Sequence, residues 1–212
     1  MSETTRRGRP RSAAADQAIL EATRSLLGSG GYAGVSMEAV AAEAGVGKPT
    51  VYRRWASKAA LVADAVLTSG AFGAWEQPEE PAGSGDVGHD VKAWLRAHAE
   101  RMTAPGQIPL VLALAAAAAE SPGGAGELLY RRLTGPRHRA LVARLEAGVA
   151  AGQLRAGRDL DAVADALIGA LLYQLLTGNA AASAARAEDL VETVLEGFRP
   201  APLAETAGRG RG

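Results

Sequence analysis

Cysteine is absent from the 212 residues. That excludes disulfides, thiolate metal ligands and cysteine nucleophiles together. Aromatic residues make up only 4% of the chain, and Ile and Phe together number five. With strand-forming side chains this scarce, an all-β fold is disfavoured. Long apolar runs are missing as well. Ile108–Ala119 is uninterrupted for only 12 residues, and Gln174, Thr177 and Asn179 break the uncharged stretch Ala166–Ala185. A membrane span needs about 20 predominantly apolar residues, so no membrane partner is expected. The basic start runs into Ser12–Gln17 without the apolar segment of a signal peptide, and the expected compartment is cytoplasmic. Net charge is zero, with 23 basic and 23 acidic side chains.

The even balance conceals a gradient. Residues 1–67 hold nine basic and six acidic side chains, and Arg6, Arg7, Arg9 and Arg11 face a single Glu3 at the start. A basic end on a neutral chain points to a polyanion met by one part of the molecule. The abundant residues are Ala, 48 of them, and Leu, 24, both strong helix formers. An all-α fold follows.

Along the chain, residues 1–11 read as a disordered basic arm and residues 12–69 as a small helical domain. Residues 70–200 read as a larger helical domain and 201–212 as a disordered tail. A first helix is expected from Ala14, with Ile19, Ala22, Leu26 and Leu27 on one face, stopping at Gly28-Ser29-Gly30-Gly31. Ser36 stands as N-cap of a second, where Met37, Val40, Ala41 and Ala44 recur at helical spacing. Gly47-Lys48-Pro49-Thr50 opens a third, Pro49 being tolerated in a first turn. Ser57 caps a fourth, from Lys58 to about Ser69. Beyond a Pro/Gly/Glu-rich linker at Glu76–Gly85, helices are expected at about 86–103, 107–120, 124–151, 159–178 and 186–198. The longest of these has a potential break at Gly135-Pro136.

Ser36–Lys58 carries the chemistry. Two short helices joined through Gly45-Val46-Gly47 form a helix-turn-helix, locked by Val40, Ala44, Val51 and Trp55. Lys48, Thr50, Tyr52, Arg53 and Arg54 are left on the outer face of the second helix. Lys or Arg there can pair with guanine edges in a major groove, and hydroxyls reach phosphate or base. Lys58, opening the next helix, can meet a phosphate. A merely solvated basic face is the bland alternative; turn, cap, inward aromatic and cation density together favour DNA.

Residues of about 14–68 resemble the DNA-binding domain of the tetracycline-repressor (TetR) family of transcriptional regulators. The resemblance rests on Gly30-Gly31-Tyr32, Ser36, Ala41, Ala44-Gly45-Val46, Lys48, Thr50-Val51-Tyr52, Trp55, Ser57-Lys58 and Ala60-Leu61. It implies an N-terminal three-helix helix-turn-helix domain followed by a C-terminal helical effector and dimerisation domain. It further implies phosphate contacts by Ser36, Thr50, Tyr52 and Lys58, with Lys48, Pro49 and Arg53 nearest the base edges. Arg53-Arg54 and Trp55 depart from the commoner Tyr, His and Phe, so an operator sequence does not carry over. The arm Arg7-Gly8-Arg9-Pro10-Arg11 resembles the core of an AT-hook, placing Arg7, Arg9 and Arg11 in an adjacent minor groove.

Other signals are weaker. Gly83-Ser84-Gly85-Asp86-Val87-Gly88 matches G-x-G-x-x-G, but Gln77–Pro81 before it cannot form the required strand. His89, His98 and His138 have no metal-ligand spacing; no metal, cofactor or catalytic constellation is expected. Leu160, Val163, Leu167, Leu171 and Leu175, with Val191, Val194, Leu195 and Phe198, cover so much of two helices that a homodimer through a four-helix bundle is expected. Trp94, His98, Met102, Leu110, Leu114, Tyr130 and Leu133 are candidates to line an effector cavity within residues 86–151. The same residues equally suit an ordinary core.

The reading is a homodimeric, ligand-responsive DNA-binding regulator: a repressor, released from a near-palindromic double-stranded operator by a small hydrophobic effector. Two alternatives are a small helical enzyme or ligand carrier with a basic surface, and an architectural protein binding DNA without sequence preference.

Overall fold

The computed structural model describes residues 10–69 and 80–197. Among them every regular element is helical and there is no strand. The order is α1 (Pro10–Gly34), α2 (Met37–Glu43), α3 (Lys48–Tyr52), α4 (Lys58–Leu67), α5 (Val87–Thr103), α6 (Gln107–Glu120), α7 (Gly135–Ala150), α8 (Leu160–Leu176) and α9 (Ser183–Glu196). Buried apolar side chains from α1 to α9 form one connected core.

Local chemistry accounts for most of the boundaries. Ser36 Oγ accepts from the Ala39 amide at 3.1 Å and Ser57 Oγ from the Ala60 amide at 3.1 Å, so α2 and α4 begin at the two expected caps. Pro49 lies in the first turn of α3, where its missing N–H costs no bond. Asp86 and Asp159 cap α5 and α8, accepting from His89 and Ala162 amides. The turn between α2 and α3 needs Gly45 at φ 65°, a left-handed conformation that a Cβ disfavours.

Both expected ends of the first helix are corrected. The first helix does not stop at Gly28-Ser29-Gly30-Gly31: α1 continues through the first three and bends only at Gly31, φ 60° and ψ −164°. Ser29 Oγ donates to the carbonyls of Ser25 and Leu26, while fully buried Leu27 anchors the stretch, so packing overrides glycine's poor propensity. The helix also begins at Pro10, within the arm expected to be disordered.

The helix expected over 124–151, with its potential break at Gly135-Pro136, is two elements. Pro122–Thr134 is a run of wide, π-type turns flanking a single α-turn, and α7 follows from Gly135. Pro136 lacks an amide hydrogen and its ring crowds the carbonyl four residues back; the wide turn at Tyr130–Thr134 accommodates both.

Helix α6 occupies the centre. It packs extensively on α4 and α1, and also against α5. Helix α9 lies along α5, and α8 along α7. In the first turn of α5, the buried Asp90 carboxylate takes 2.6 and 2.8 Å contacts from Arg144 and a 2.5 Å hydrogen bond from the Ser84 hydroxyl. Among the described residues, no single helix is long and apolar enough to cross a membrane; α5 and α6 qualify only jointly, and they meet at 94°. Glu80–Asp86, directly before α5, form no strand; Gln77–Glu79 lie outside the described residues.

Candidate functional site

Helix α3 stands on a small, rigid base. Val40 and Val51 are fully buried, and Trp55 closes the gap to α4 by donating from Nε1 to Asp64 Oδ2 at 3.0 Å. Arg24 on α1 donates to the Ala65 carbonyl at 3.0 Å, tying α1 to α4. With its inner face used this way, α3 turns Lys48, Pro49, Tyr52 and Arg53 to solvent, with Thr50 half-buried at the edge.

The outward residues are held in specific ways. Tyr52 Oη donates to Glu38 Oε1 at 3.3 Å, and Lys48 Nζ lies 3.8 Å from the same oxygen. Lys58, in the first turn of α4, places Nζ 4.0 Å over the Tyr32 ring, a cation–π contact. Ser36 sits at the start of α2, exposed, with its hydroxyl oxygen serving as cap. Arg54 departs from the expectation. Its guanidinium pairs with Asp16 of α1 and donates to the Thr50 carbonyl at 3.2 Å, so it braces α3 against α1 from a half-buried position. Arg11 falls in the first turn of α1; Arg7 and Arg9 lie outside the described residues.

The larger domain contains a cavity of about 140 Å³. His98 and Met102 of α5 and Val111, Leu114 and Ala115 of α6 form one side. Leu129, Leu133 and Thr134 of the wide-turn segment, Arg137 of α7, and Ile168, Gly169 and Leu172 of α8 complete it. Four of the expected lining residues are therefore present: His98, Met102, Leu114 and Leu133. Trp94 is one layer back, buried and stacked on the His98 ring with centroids 5.4 Å apart. Leu110 does not line the cavity, and Tyr130 is 50% exposed, its ring lying beside Gly135.

The most consequential lining residue was not anticipated. Arg137 is 2% exposed and donates from Nη1 to the Leu133 carbonyl at 2.7 Å. Burial, reinforced by the charge of Arg101, pushes its guanidinium down to about 10, still cationic near neutrality. Burial, and then the Arg137 charge, push His98 down to about 3, so its imidazole is neutral. A signal existed: Leu133, Arg137, Leu141 and Leu145 repeat every fourth residue, which sets the arginine on a buried stripe.

The proposed dimer residues are also relocated. Val163, Leu167, Leu171, Leu175, Val191 and Leu195 are buried inside one protomer, while Leu160 and Val194 are half-buried. Phe198 lies outside the described residues. What α8 exposes instead is Ala162, Ala166, Gly169, Tyr173 and Leu176, spaced along one face and flanked by exposed Asp161 and Asp165, with Tyr173 and Leu176 exposed by 66% and 64%.

Two family models match the chain. One, described as bacterial regulatory proteins of the tetR family, covers residues 19–65. The other, the tetracyclin repressor-like C-terminal domain, covers residues 81–194 and so more than half of the chain. The chain belongs to the TetR family. It is 28% identical over 209 residues to the HTH-type transcriptional regulator YdeS of Bacillus subtilis (strain 168), covering 95% of this chain and 98% of that one. The solved TetR family transcription regulator SCO0332 is 30% identical, with a TM-score of 0.57, covering 88% of this chain and 99% of that one. The flavonoid-responsive regulator FrrA has the same fold at 21% identity, with a TM-score of 0.60, covering 89% and 98%.

The helix-turn-helix and the helical C-terminal domain are thus those of a DNA-binding transcriptional regulator of the TetR family, and not of an enzyme. The expected all-α architecture holds.

Proposed function

We propose that this TetR-family regulator is a cytoplasmic homodimeric repressor that leaves a near-palindromic operator when a small molecule fills the cavity of the larger domain. The observation that carries the reading is the double use of α6. Its Val111, Leu114 and Ala115 wall the cavity, and the same helix packs on α1 and α4, whose Asp16 and Asp64 hold Arg54 and Trp55 at the end of α3. A ligand that alters the seat of α6 therefore acts on the base of the recognition helix, to the extent that it binds the two states unequally.

On the DNA, α3 enters a major groove with Lys48, Pro49 and Arg53 toward base edges, and Ser36, Thr50, Tyr52 and Lys58 toward phosphates. Arg54 serves as a brace. Arg7, Arg9 and Arg11 follow the adjoining minor groove. Two subunits present recognition helices about 34–36 Å apart, one helical turn of DNA. The exposed stripe Ala162, Ala166, Gly169, Tyr173 and Leu176, with half-buried Leu190 and Val194 of α9, supports pairing through these two helices.

Selection of bound duplexes from a random pool, followed by footprinting, tests the reading. A discrete near-palindrome is expected, protected as two half-sites. Uniform protection without sequence preference overturns it in favour of an architectural coat.

A further inference from the structure

Gly169 belongs to two surfaces at once. It borders the cavity of the larger domain, and it is an exposed residue in the middle of the apolar stripe on α8. A glycine shows only backbone, so the same few atoms face the cavity and solvent. A Cβ built there meets nothing within 4 Å. Thr134, lining the same space, is exposed too. The other lining residues of α8, Ile168 and Leu172, are half-buried and adjoin the stripe on one flank. A single protomer thus supplies a floor and walls, and leaves the cavity open beside Gly169.

The stripe is built to pair with a copy of itself. It runs about 21 Å along α8 and is nearly symmetrical about Gly169. Ala162 and Leu176 lie equally far from the glycine on either side, and Ala166 and Tyr173 nearly so. An antiparallel second α8 with Gly169 on Gly169 sets Ala162 beside the partner's Leu176 and Ala166 beside the partner's Tyr173. Each large side chain meets a small one, as interdigitating layers require, and the glycines let the two backbones close at the crossing. Asp161 and Asp165, exposed on the flank, fall opposite the partner's Thr177 and the partner's Tyr173, so no carboxylate faces another. The match is self-complementary, which a two-fold interface demands.

The wall decides what the space holds. Met102, Val111, Leu114, Leu133, Ile168 and Leu172 present carbon to it. Arg137 is engaged within the protein, donating to the Leu133 carbonyl at 2.7 Å. The volume of about 140 Å³ is close to the ~150 Å³ of an engineered apolar cavity that binds benzene. A charged molecule would lose its hydration there, whereas a neutral ring loses nothing of the kind.

We propose that this cavity is half of a site shared between two subunits: it takes a neutral apolar molecule of about one ring, and the partner's α8, crossing at Gly169, closes it. The inference deepens the regulator reading above and rests on its pairing through α8, but not on its operator. Ligand and second subunit then strengthen each other's binding by the same factor.

The test uses the full-length protein without DNA. Calorimetry at neutral pH titrates toluene, benzoate and benzylamine into protein that sedimentation shows to be dimeric. Toluene is expected to bind at least tenfold tighter than either charged analogue. Ala162→Asp combined with Leu176→Asp brings like charges together across the proposed crossing. Both positions lie about 10 Å along α8 from Gly169, and neither lines the cavity. The double variant is expected to sediment as a monomer, keep its helicity by circular dichroism and bind toluene at least tenfold more weakly. Should it fail to fold, wild-type sedimentation decides, because saturating toluene must lower the dimer dissociation constant at least tenfold. A folded monomer that binds toluene as the wild type does overturns the shared site and leaves the cavity complete in each protomer. A folded variant that stays dimeric overturns it by placing the interface elsewhere. No toluene binding, or tighter binding of benzoate or benzylamine, overturns the ligand class. Operator release is measured separately: toluene bound by the dimer without release removes the repressor reading and leaves the shared site standing.

Discussion

The Tyr32 hydroxyl donates a 2.6 Å hydrogen bond to Glu120 Oε2 at the last residue of α6. The ring of the same tyrosine lies 4.0 Å beneath the Lys58 ammonium. One side chain thus connects the end of the cavity-walling helix to a cation proposed to touch the DNA backbone. Burial first, then the hydrogen bond and charge of Glu120, push the Tyr32 phenol well above its ordinary range, so it remains a donor at any physiological pH.

Tyr32→Phe removes the bond to Glu120 and keeps the ring under Lys58. Operator affinity is expected to stay within about twofold, while the fold-change in affinity caused by an effector shrinks by about fivefold, which is a coupling energy of about 1 kcal/mol. Fluorescence anisotropy of labelled operator, with and without ligand, reads both quantities. An unchanged response to ligand shows that α6 signals through its packing on α1 and α4 without the Tyr32 bond.

The outward residues of α3 and α4 are expected to separate by role. Arg53→Ala should cost about 1–3 kcal/mol on the preferred operator and relax preference at one base position. Lys58→Ala should weaken every sequence evenly and reduce the salt slope by about 1. Arg54→Ala removes the pair with Asp16 and should instead lower thermal stability slightly, a partly exposed pair contributing about 0.2–1 kcal/mol. Salt-dependent binding isotherms and thermal melts on the three variants distinguish these outcomes. A loss of base preference in Arg54→Ala would return that residue to the groove.

How much of this was legible follows from where the forces are local. Caps, the turn glycine and the period of Val40, Val51 and Trp55 are short-range, so the helix-turn-helix could be read directly from residues 36–58. The glycine run at 28–31 misled because its fate is decided by tertiary packing of Leu27 and by Ser29 bonding back to the helix. The apolar stripes of α8 and α9 show that a face is buried but not by what. Val163, Leu167 and Leu171 pack within the protomer, whereas Ala166 and Gly169 between them are left outside. A charged side chain is not expected on a buried stripe, and only the facing helices reveal that Arg137 borders a cavity.

Gly169 offers a test of the proposed dimer face. A Cβ placed there meets nothing within 4 Å inside the protomer. Gly169→Arg should therefore leave the protomer folded and, by placing a cation in the middle of the exposed α8 stripe, shift the dimer–monomer equilibrium toward monomer by at least tenfold. Analytical ultracentrifugation reads the association state, and circular dichroism verifies the fold. By contrast, Leu167→Ala, at a fully buried position, should destabilise the protomer by about 2–5 kcal/mol whatever the association state. A Gly169→Arg protein that remains as dimeric as the wild type places the interface elsewhere.

Acid should weaken the larger domain in two adjoining windows. His98 is held down to about 3 by burial and then by Arg137, against an ordinary value of about 6.5. As pH falls below about 6.5 the unfolded chain takes up a proton that the folded one refuses, so stability declines from there towards pH 3 by up to about 1.4 kcal/mol per unit. Asp90 acts lower. Burial alone would raise its carboxyl, but the Ser84 hydroxyl, Arg144 and the Ser84 amide outweigh it and hold the carboxyl below its usual range. Its contribution is full above about pH 3.9, the unfolded value, and is lost as pH falls through the folded one. Urea unfolding at pH 7, 6, 5 and 4 should show the His98 slope in the wild type and a flatter profile in His98→Gln. Asp90→Asn should lower stability at pH 7 by about 3–5 kcal/mol, because it strands the Arg144 guanidinium against a neutral amide. A His98→Gln profile parallel to the wild type between pH 6 and 4 would mean that the imidazole reaches water and protonates in the folded protein, against its burial.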